Sequence, residues 1–372
     1  MRSKIILVAN TSWFLYNFES GLIEKLLLEN HEVILVAPRD VWSDRLEQMG
    51  AHYIEVPMRR MGLNPISDLF LLLRFFSIYK RQQPNVVFHN TIKPTIYGSI
   101  AARLANVACI LNMIPGLGYV FIGNEIHNQF LRSFVEFMYK VALRPSEKIF
   151  FQNPDDKRYF VDHRIIEEKQ AEVTYGLGVD VERFYFVEPS KTQECIFLLM
   201  SRMLWDKGVG EYVEAAKKIK QSYPNVTFQL LGKIDRENPS GIQKQFIDEW
   251  NNLGIIQYLG ELPDVRAAVA KADVIVLPSY REGIPNSLME GMAMGKPIIT
   301  TDVPGCRETV IHDITGVLIP PKNIPALIDA MLYMIIHPEI RSTMGREGRK
   351  LALERFDVKR VISTLMHAMH LS

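Results

Sequence analysis

Two glutamates, Glu282 and Glu290, enclose seven residues: Gly283, Ile284, Pro285, Asn286, Ser287, Leu288 and Met289. The segment follows an apolar, strand-like run at 274–277 and leads into a helical pattern that stops at Gly295. Ionised carboxylates accept hydrogen bonds from hydroxyl groups, and a helix N-terminus presents unpaired N–H groups and a partial positive charge to anions. A strand, a carboxylate loop and a helix start therefore suit a ligand that carries both hydroxyls and a diphosphate, as a nucleotide sugar does. Asn286 is the expected N-cap, which leaves Glu282 and Gly283 in the loop and puts Ser287, Leu288 and Glu290 in the first helical turn.

A second segment offers the counter-charge. Residues 201–208 join a strand-like run to a helical pattern and contain Arg202 and Lys207. Alone, such cations read as ordinary surface charges before a helix. Beside the carboxylate segment they read as a cradle that neutralises a leaving diphosphate, with no metal required. No cofactor and no metal are expected: closely spaced acidic ligands at a strand end are missing, and Asp155 with Asp156, after Asn153 and Pro154, reads as a helix cap. Cys109, Cys195 and Cys306 are far apart and lack metal-ligand spacing, so they read as thiols of a reducing compartment.

The first half contributes weaker signals. Gly116 and Gly118 follow a strand-like run, where they either bring backbone close to a diphosphate or make a plain turn. His89 stands at another strand end, ahead of Asn90, Thr91 and Lys93, and is either a site residue or a hydrogen-bonded core histidine. Residues 10–18 hold Trp13, Phe14, Tyr16 and Phe18 and read as a loop facing an acceptor, with some of the rings in the core.

These residues need elements to position them. Strand-like runs at 5–9, 32–37, 53–56, 86–89 and 108–113 alternate with helical patterns, and the rhythm restarts at 195–200, 227–231, 255–259, 274–278, 297–301 and 317–319. Near-continuous apolar strands alternating with helices imply parallel sheets covered on both faces, the α/β class. A chain of 372 residues exceeds one ordinary core, so two such domains are expected, 1–187 and 188–354, with a linker around 175–184 and a C-terminal helix at 355–372 that packs back on the first domain. Lys plus Arg (43) nearly balances Asp plus Glu (42), which argues against nucleic-acid binding by bulk charge. The uncharged stretch 104–124 is broken by Pro115, Gly116 and Gly118 and reads as strand and loop, so no transmembrane helix is expected. Residues 67–81 and 130–138 are rich in Phe with basic residues nearby, a pattern shared by membrane-surface helices and buried ones.

The three segments 282–290, 201–208 and 178–184 (Gly178, Val179, Asp180 and Phe184) together resemble the retaining glycosyltransferases of the two-lobed GT-B fold, over essentially the whole chain. The resemblance implies two doubly wound Rossmann-like domains facing each other across a cleft. It implies that Glu282 contacts the donor sugar, Glu290 the ribose, Arg202 and Lys207 the diphosphate, and backbone near Leu259, Gly260 and Leu262 the base. Where that family often has a histidine before the glycine pair, this chain has Pro115, which leaves His89 as the substitute. Residues 232–240 and 305–308 resemble bacterial enzymes that add N-acetylgalactosamine to polyprenyl-diphosphate-linked sugars. A UDP-sugar donor, a lipid-linked saccharide acceptor and a place on the inner face of the cell membrane are the corresponding expectations. A UDP-sugar epimerase of the same fold is the alternative, needing acid–base groups at the sugar ring carbons. A nicotinamide dehydrogenase would need Gly-x-Gly-x-x-Gly after the first strand, which the loop after Ala9 lacks. A sugar-nucleotide sensor without turnover is the non-enzymatic rival.

Overall fold

The computed structural model describes residues 2–58, 64–117, 126–188, 195–236 and 238–371, with backbone alone for 126–130. Its contacts divide the chain into two units, Met1–Leu177 with Val361–Ser372, and Gly178–Arg360.

In the first unit seven parallel strands run β1 (Lys4–Val8), β2 (Glu32–Ala37), β3 (His52–Glu55), β4 (Val86–Asn90), β5 (Cys109–Ile114), β6 (Lys148–Phe151) and β7 (Ala171–Val173). Their order across the sheet is β3-β2-β1-β4-β5-β6-β7, so the winding reverses between β1 and β4. Alternation along β1 shows why its residues are all apolar. Ile5 and Leu7 belong to a core shared with α1 (Ser12–Phe18) and α2 (Ser20–Leu28), whereas Ile6 and Val8 face a second core made with α4 (Pro65–Gln82) and α5 (Ser99–Leu104). α3 (Ser43–Gln48), α6 (Ile126–Leu143) and α7 (Pro154–Asp162) complete the unit. Local sequence starts these helices: Asn64 caps α4 through the Ser67 N–H and Asn153 caps α7 through the Asp156 N–H, each followed by Pro at the first position.

The second unit has a six-stranded parallel sheet, β8 (Ile196–Met200), β9 (Thr227–Leu231), β10 (Gln257–Tyr258), β11 (Val274–Leu277), β12 (Ile298–Thr301) and β13 (Gly316–Ile319), in the order β10-β9-β8-β11-β12-β13. Its helices are α8 (Val209–Ser222), α9 (Lys244–Asn252), α10 (Arg266–Lys271), α11 (Asn286–Ala293), α12 (Ile324–Ile336) and α13 (Pro338–Arg355). α11 lies close on β11 because Gly291 has no side chain: a Cβ there would stand 2.6 Å from Ile275 Cγ1.

Two expectations change. The unit boundary falls at Leu177 and not at 187, because the linker packs with the second unit: Val179 N–H donates to the Phe356 carbonyl at 2.7 Å, and Arg349 donates to the carbonyls of Phe184 and Val181. The C-terminal helix is no such change: α14 (Val358–Ala368) follows α13, and Val361, Leu365, Met366 and Met369 sit in the core of the first unit. Residues 12–18 are the helix α1, capped by Thr11, and not an open loop; Phe14 is buried, Tyr16 packs on Trp42, and Trp13 is the exposed ring. Among the described residues no helix is long and apolar enough to cross a membrane.

Candidate active site

The second unit brings its two chemical segments into contact. The phosphate-loop segment leaves β8, forms a short 3-10 turn at Trp205–Lys207 and enters α8 through Gly208. Gly208 has φ +72°, and a Cβ would lie 2.1 Å from the Pro278 carbonyl oxygen, so only glycine lets this turn close on the end of β11. Tyr280 N–H and Ser279 Oγ both donate to the Asp206 carbonyl, at 2.9 and 3.1 Å, and Tyr280 OH donates to Glu211 at 2.5 Å. The result is an ion pair of Lys207 Nζ with Glu282 Oε1 at 2.5 Å, both groups largely shielded from solvent.

Arg202 is placed differently. Its guanidinium bonds Asp235 Oδ2 at 2.8 Å and is nearly half exposed. Asp235 belongs to residues 232–241, which lie along the phosphate loop: Met203 N–H donates to the Lys233 carbonyl, Trp205 N–H to the Ser240 carbonyl, and Asp206 N–H to Ser240 Oγ. Close approach explains Gly232, whose absent Cβ would sit 1.8 Å from the Ser201 carbonyl oxygen. Gly260 accepts from Gly232 N–H at 2.8 Å and has open space where a Cβ would be, Leu259 N–H donates to the Leu230 carbonyl, and Leu262 is exposed.

Glu282 is held from behind. Its N–H donates to the Pro304 carbonyl at 3.1 Å, and a Cβ on Gly305 would lie 2.2 Å from the Gly283 carbonyl oxygen. Gly305 N–H donates in turn to the buried Glu308 carboxylate at 2.7 Å. Residues 305–308 are thus a support for the carboxylate loop. Asp235, Tyr280 and Glu211 were missed as supporting residues because their partners are remote in sequence, and Glu308, whose partner Gly305 is three residues away, was missed because nothing in the sequence shows that the turn is buried; the glycines were the available signal.

The helix start corrects one expectation. The N-cap of α11 is Pro285, and Asn286 is the first helical residue. Proline supplies no side-chain acceptor, so the cap leaves the first-turn N–H groups of Asn286, Ser287 and Leu288 without side-chain capping, and Leu288 N–H turns back to the Pro285 carbonyl at 3.1 Å. The Asn286 Oδ1 is buried with no partner. Glu290 therefore stands in the second turn. Burial pushes its carboxyl up to about 7, Arg183 opposes that rise and Asp264 adds to it.

His89 is the clearest correction. It is fully buried, with Nε2 bonded to Tyr79 OH at 2.9 Å and Nδ1 to Asn112 Oδ1 at 3.2 Å, and a Cβ on Gly98 would lie 2.6 Å from its ring. Burial pushes its pKa down to about 3, so the ring is neutral, and both of its nitrogens are taken by core partners. It is a core histidine. Gly116 lies two residues past the end of β5, after Pro115, and Gly118 lies outside the described residues. Among the described residues, the grouping able to offer metal ligands is Cys109, Glu147 and His370 in the first unit, where His370 Nε2 and Glu147 Oε1 lie 2.6 Å apart. Proximity in the fold, not spacing in sequence, makes that cluster.

Two parallel sheets of Rossmann type, with a phosphate-loop lysine joined to a carboxylate loop, define a GT-B glycosyltransferase. The model of the family "Glycosyl transferases group 1" matches residues 180–351 and that of "Glycosyl transferase 4-like" matches residues 4–153, so both units match glycosyltransferase models and the chain is a glycosyltransferase. It is 26% identical over 352 residues, covering 91% of each chain, to N,N'-diacetylbacillosaminyl-diphospho-undecaprenol alpha-1,3-N-acetylgalactosaminyltransferase of Campylobacter jejuni. It is 24% identical, over 82% of its own length and 80% of the relative's, to UDP-Gal:alpha-D-GlcNAc-diphosphoundecaprenol alpha-1,3-galactosyltransferase of Escherichia coli. Anabaena HepE, solved in complex with UDP and glucose, shares the fold with a TM-score of 0.78 at 17% identity, covering 99% of this chain and 100% of that one.

Proposed function

We propose that the enzyme moves an N-acetylhexosamine, N-acetylgalactosamine foremost, from its UDP conjugate to a saccharide carried on polyprenyl diphosphate, in the assembly of a bacterial surface glycan. The configuration at the transferred carbon is retained, and no metal takes part. The observation that carries the reading is the Lys207–Glu282 contact, which sets a cation for the diphosphate and an acceptor for sugar hydroxyls side by side. The family and the undecaprenyl-diphosphate-linked substrates named for the two relatives support it.

In this reaction the bond from the anomeric carbon to the diphosphate oxygen breaks, and its electrons leave with the phosphate. Arg202, Lys207 and the N–H groups around Ser287 stabilise that charge as it grows, an electrostatic contribution of the kind worth roughly 3–4 kcal/mol for a single well-placed donor. The acceptor oxygen attacks from the same face and its proton passes to the departing phosphate. Glu282 holds donor-sugar hydroxyls, Glu290 the ribose, and backbone at Leu259, Gly260 and Leu262 the base, with Gly283 and Leu288 completing the loop around the ligand.

A lipid-linked acceptor needs an enzyme at a membrane surface. In α4, Ile66, Leu69, Phe70 and Leu73 are exposed, with Arg74, Lys80 and Arg81 on the same helix; in α6, Phe134, Phe137 and Val141 are exposed beside Lys140. Apolar stripes edged by cations suit the anionic inner leaflet, where the enzyme works as a peripheral protein.

The direct test is incubation with UDP-N-acetylgalactosamine and either N,N'-diacetylbacillosaminyl-diphospho-undecaprenol or GlcNAc-diphospho-undecaprenol in EDTA, read by mass spectrometry and by NMR of the new linkage. One added N-acetylhexosamine in α linkage is expected. Isomerised donor with no extended acceptor would instead identify an epimerase.

A further inference from the structure

The carboxyl end of β4 carries a cluster of irregularities that the donor site does not use. Asn90, the last residue of the strand, is fully buried, and neither Oδ1 nor Nδ2 has a hydrogen-bond partner. Thr91 Oγ1 and the fully buried Thr95 Oγ1 are also without partners. Thr91 has φ +72°, a left-handed conformation that a β-branched residue adopts only under constraint. Residues Pro94–Gly98 then form a π-helical turn, a form concentrated at functional sites.

Loose packing does not explain the cluster. The residue just before it, His89, is saturated by Tyr79, Asn112 and Ser99. Buried polar groups in folded proteins are almost always paired, so three unpaired side chains in one stretch, beside a strained residue, are a cost to stability that some function must require. The place has meaning as well: β4 pairs with β1 where the strand order of the first sheet reverses, the position outside the strand ends at which open α/β sheets bind ligands. The chemistry of the occupant follows from charge. Lys93 is taken by Asp68, 2.7 Å away, and Asp68 also accepts from Tyr97 OH, so Asn90, Thr91 and Thr95 form a neutral set of donors and acceptors. Neutral groups that both donate and accept match hydroxyl and acetamido substituents, which do the same. Thr91 is part-exposed and opens the set to solvent.

We infer that Asn90, Thr91 and Thr95 form a sugar subsite that binds hydroxyl or acetamido groups of the acceptor saccharide. This rests on the transferase reading above. Thr95→Val keeps the shape of the residue and removes its polar atom. With the two lipid-linked acceptors named above, Thr95→Val and Asn90→Ala are each expected to raise KM for the acceptor roughly three- to tenfold, the size of one or two lost hydrogen bonds. The UDP dissociation constant should stay unchanged, and the thermal midpoint of Thr95→Val should be equal to or above that of the wild type, since an unpaired buried group has been removed. Unchanged KM in both variants while the wild type transfers sugar would overturn the subsite and leave the transferase standing. A lowered midpoint with unchanged KM would overturn it too, in favour of enclosed water bridging these groups. A wild-type enzyme that extends neither acceptor would overturn both.

Discussion

At the scale of single residues the site joins groups whose charge states are set by their surroundings. Glu290 is the sharpest case. Its folded-state pKa of about 7 lies above the ordinary 4.5, so the folded protein holds this proton more tightly than the unfolded chain does. Stability that is fully present below pH 4.5 is therefore lost as pH rises through 7, an effect of up to about 3 kcal/mol. Glu290→Gln is expected to raise the thermal midpoint at pH 8 and to leave it nearly unchanged at pH 5. The same carboxylate, if it accepts from ribose hydroxyls, makes UDP binding weaken as pH falls through 7, and Glu290→Gln should flatten that profile. Calorimetry across pH checks both.

Residue identity showed what the sequence could and could not reveal. Glu282 and Lys207 were legible as a pair of segments because each lies in a strand-to-helix loop, and the structure brings their charges together. His89 was not legible. The sequence places it at a strand end, but burial among Tyr79, Asn112 and Gly98 depends on α4, the neighbouring strand β5 and the turn at 94–98 closing around it. Asn286 misled by composition: it is a strong capping residue, yet Pro285 has the cap position and the side chain of Asn286 carries no bond to the helix.

At the scale of elements, the loop between β8 and α8 is held by close backbone contacts more than by side chains. Gly208→Ala would place a methyl group 2.1 Å from the Pro278 carbonyl at a positive φ. A destabilisation of about 1–3 kcal/mol is expected, together with weaker UDP binding as Lys207 is displaced. Denaturant unfolding and UDP titration of the same variant read the two effects separately. The helices α4 and α6 were ambiguous in sequence between core and membrane surface, because a helix can serve both: α4 buries Leu71, Phe75 and Tyr79 and exposes Ile66, Leu69, Phe70 and Leu73. Replacing Phe70 and Phe137 together by Glu is expected to reduce co-sedimentation with anionic vesicles severalfold without changing the thermal midpoint. Unchanged sedimentation would assign the acceptor's membrane contact elsewhere.

At the scale of the whole molecule, the alternation of strands and helices made the two parallel sheets legible, because a strand buried on both faces needs a continuous apolar run. The point at which the units divide was harder to see. The linker residues Val179, Val181 and Phe184 are apolar, and composition alone does not tell which core receives them; backbone pairing with Phe356 and the Arg349 contacts assign them to the second unit. The C-terminal segment makes the opposite choice. Removing residues 361–372 strips Val361, Leu365, Met366 and Met369 from the core of the first unit, each worth about 1.5–3 kcal/mol of burial. That loss rivals the whole stability of a typical domain. Calorimetry of the truncated chain should show the first unit's transition abolished or strongly lowered while the second unit still unfolds cooperatively and binds UDP.

The central claim is that fixed cations and a helix start hold the donor's diphosphate. Titration calorimetry of UDP in EDTA tests it most directly, with the wild type and Lys207→Ala compared. Binding by the wild type is expected without added metal, with the variant roughly ten- to a hundredfold weaker, the size of a lost charged hydrogen bond. Binding that appears only when magnesium is restored, or that is equal in the two proteins, would contradict the claim.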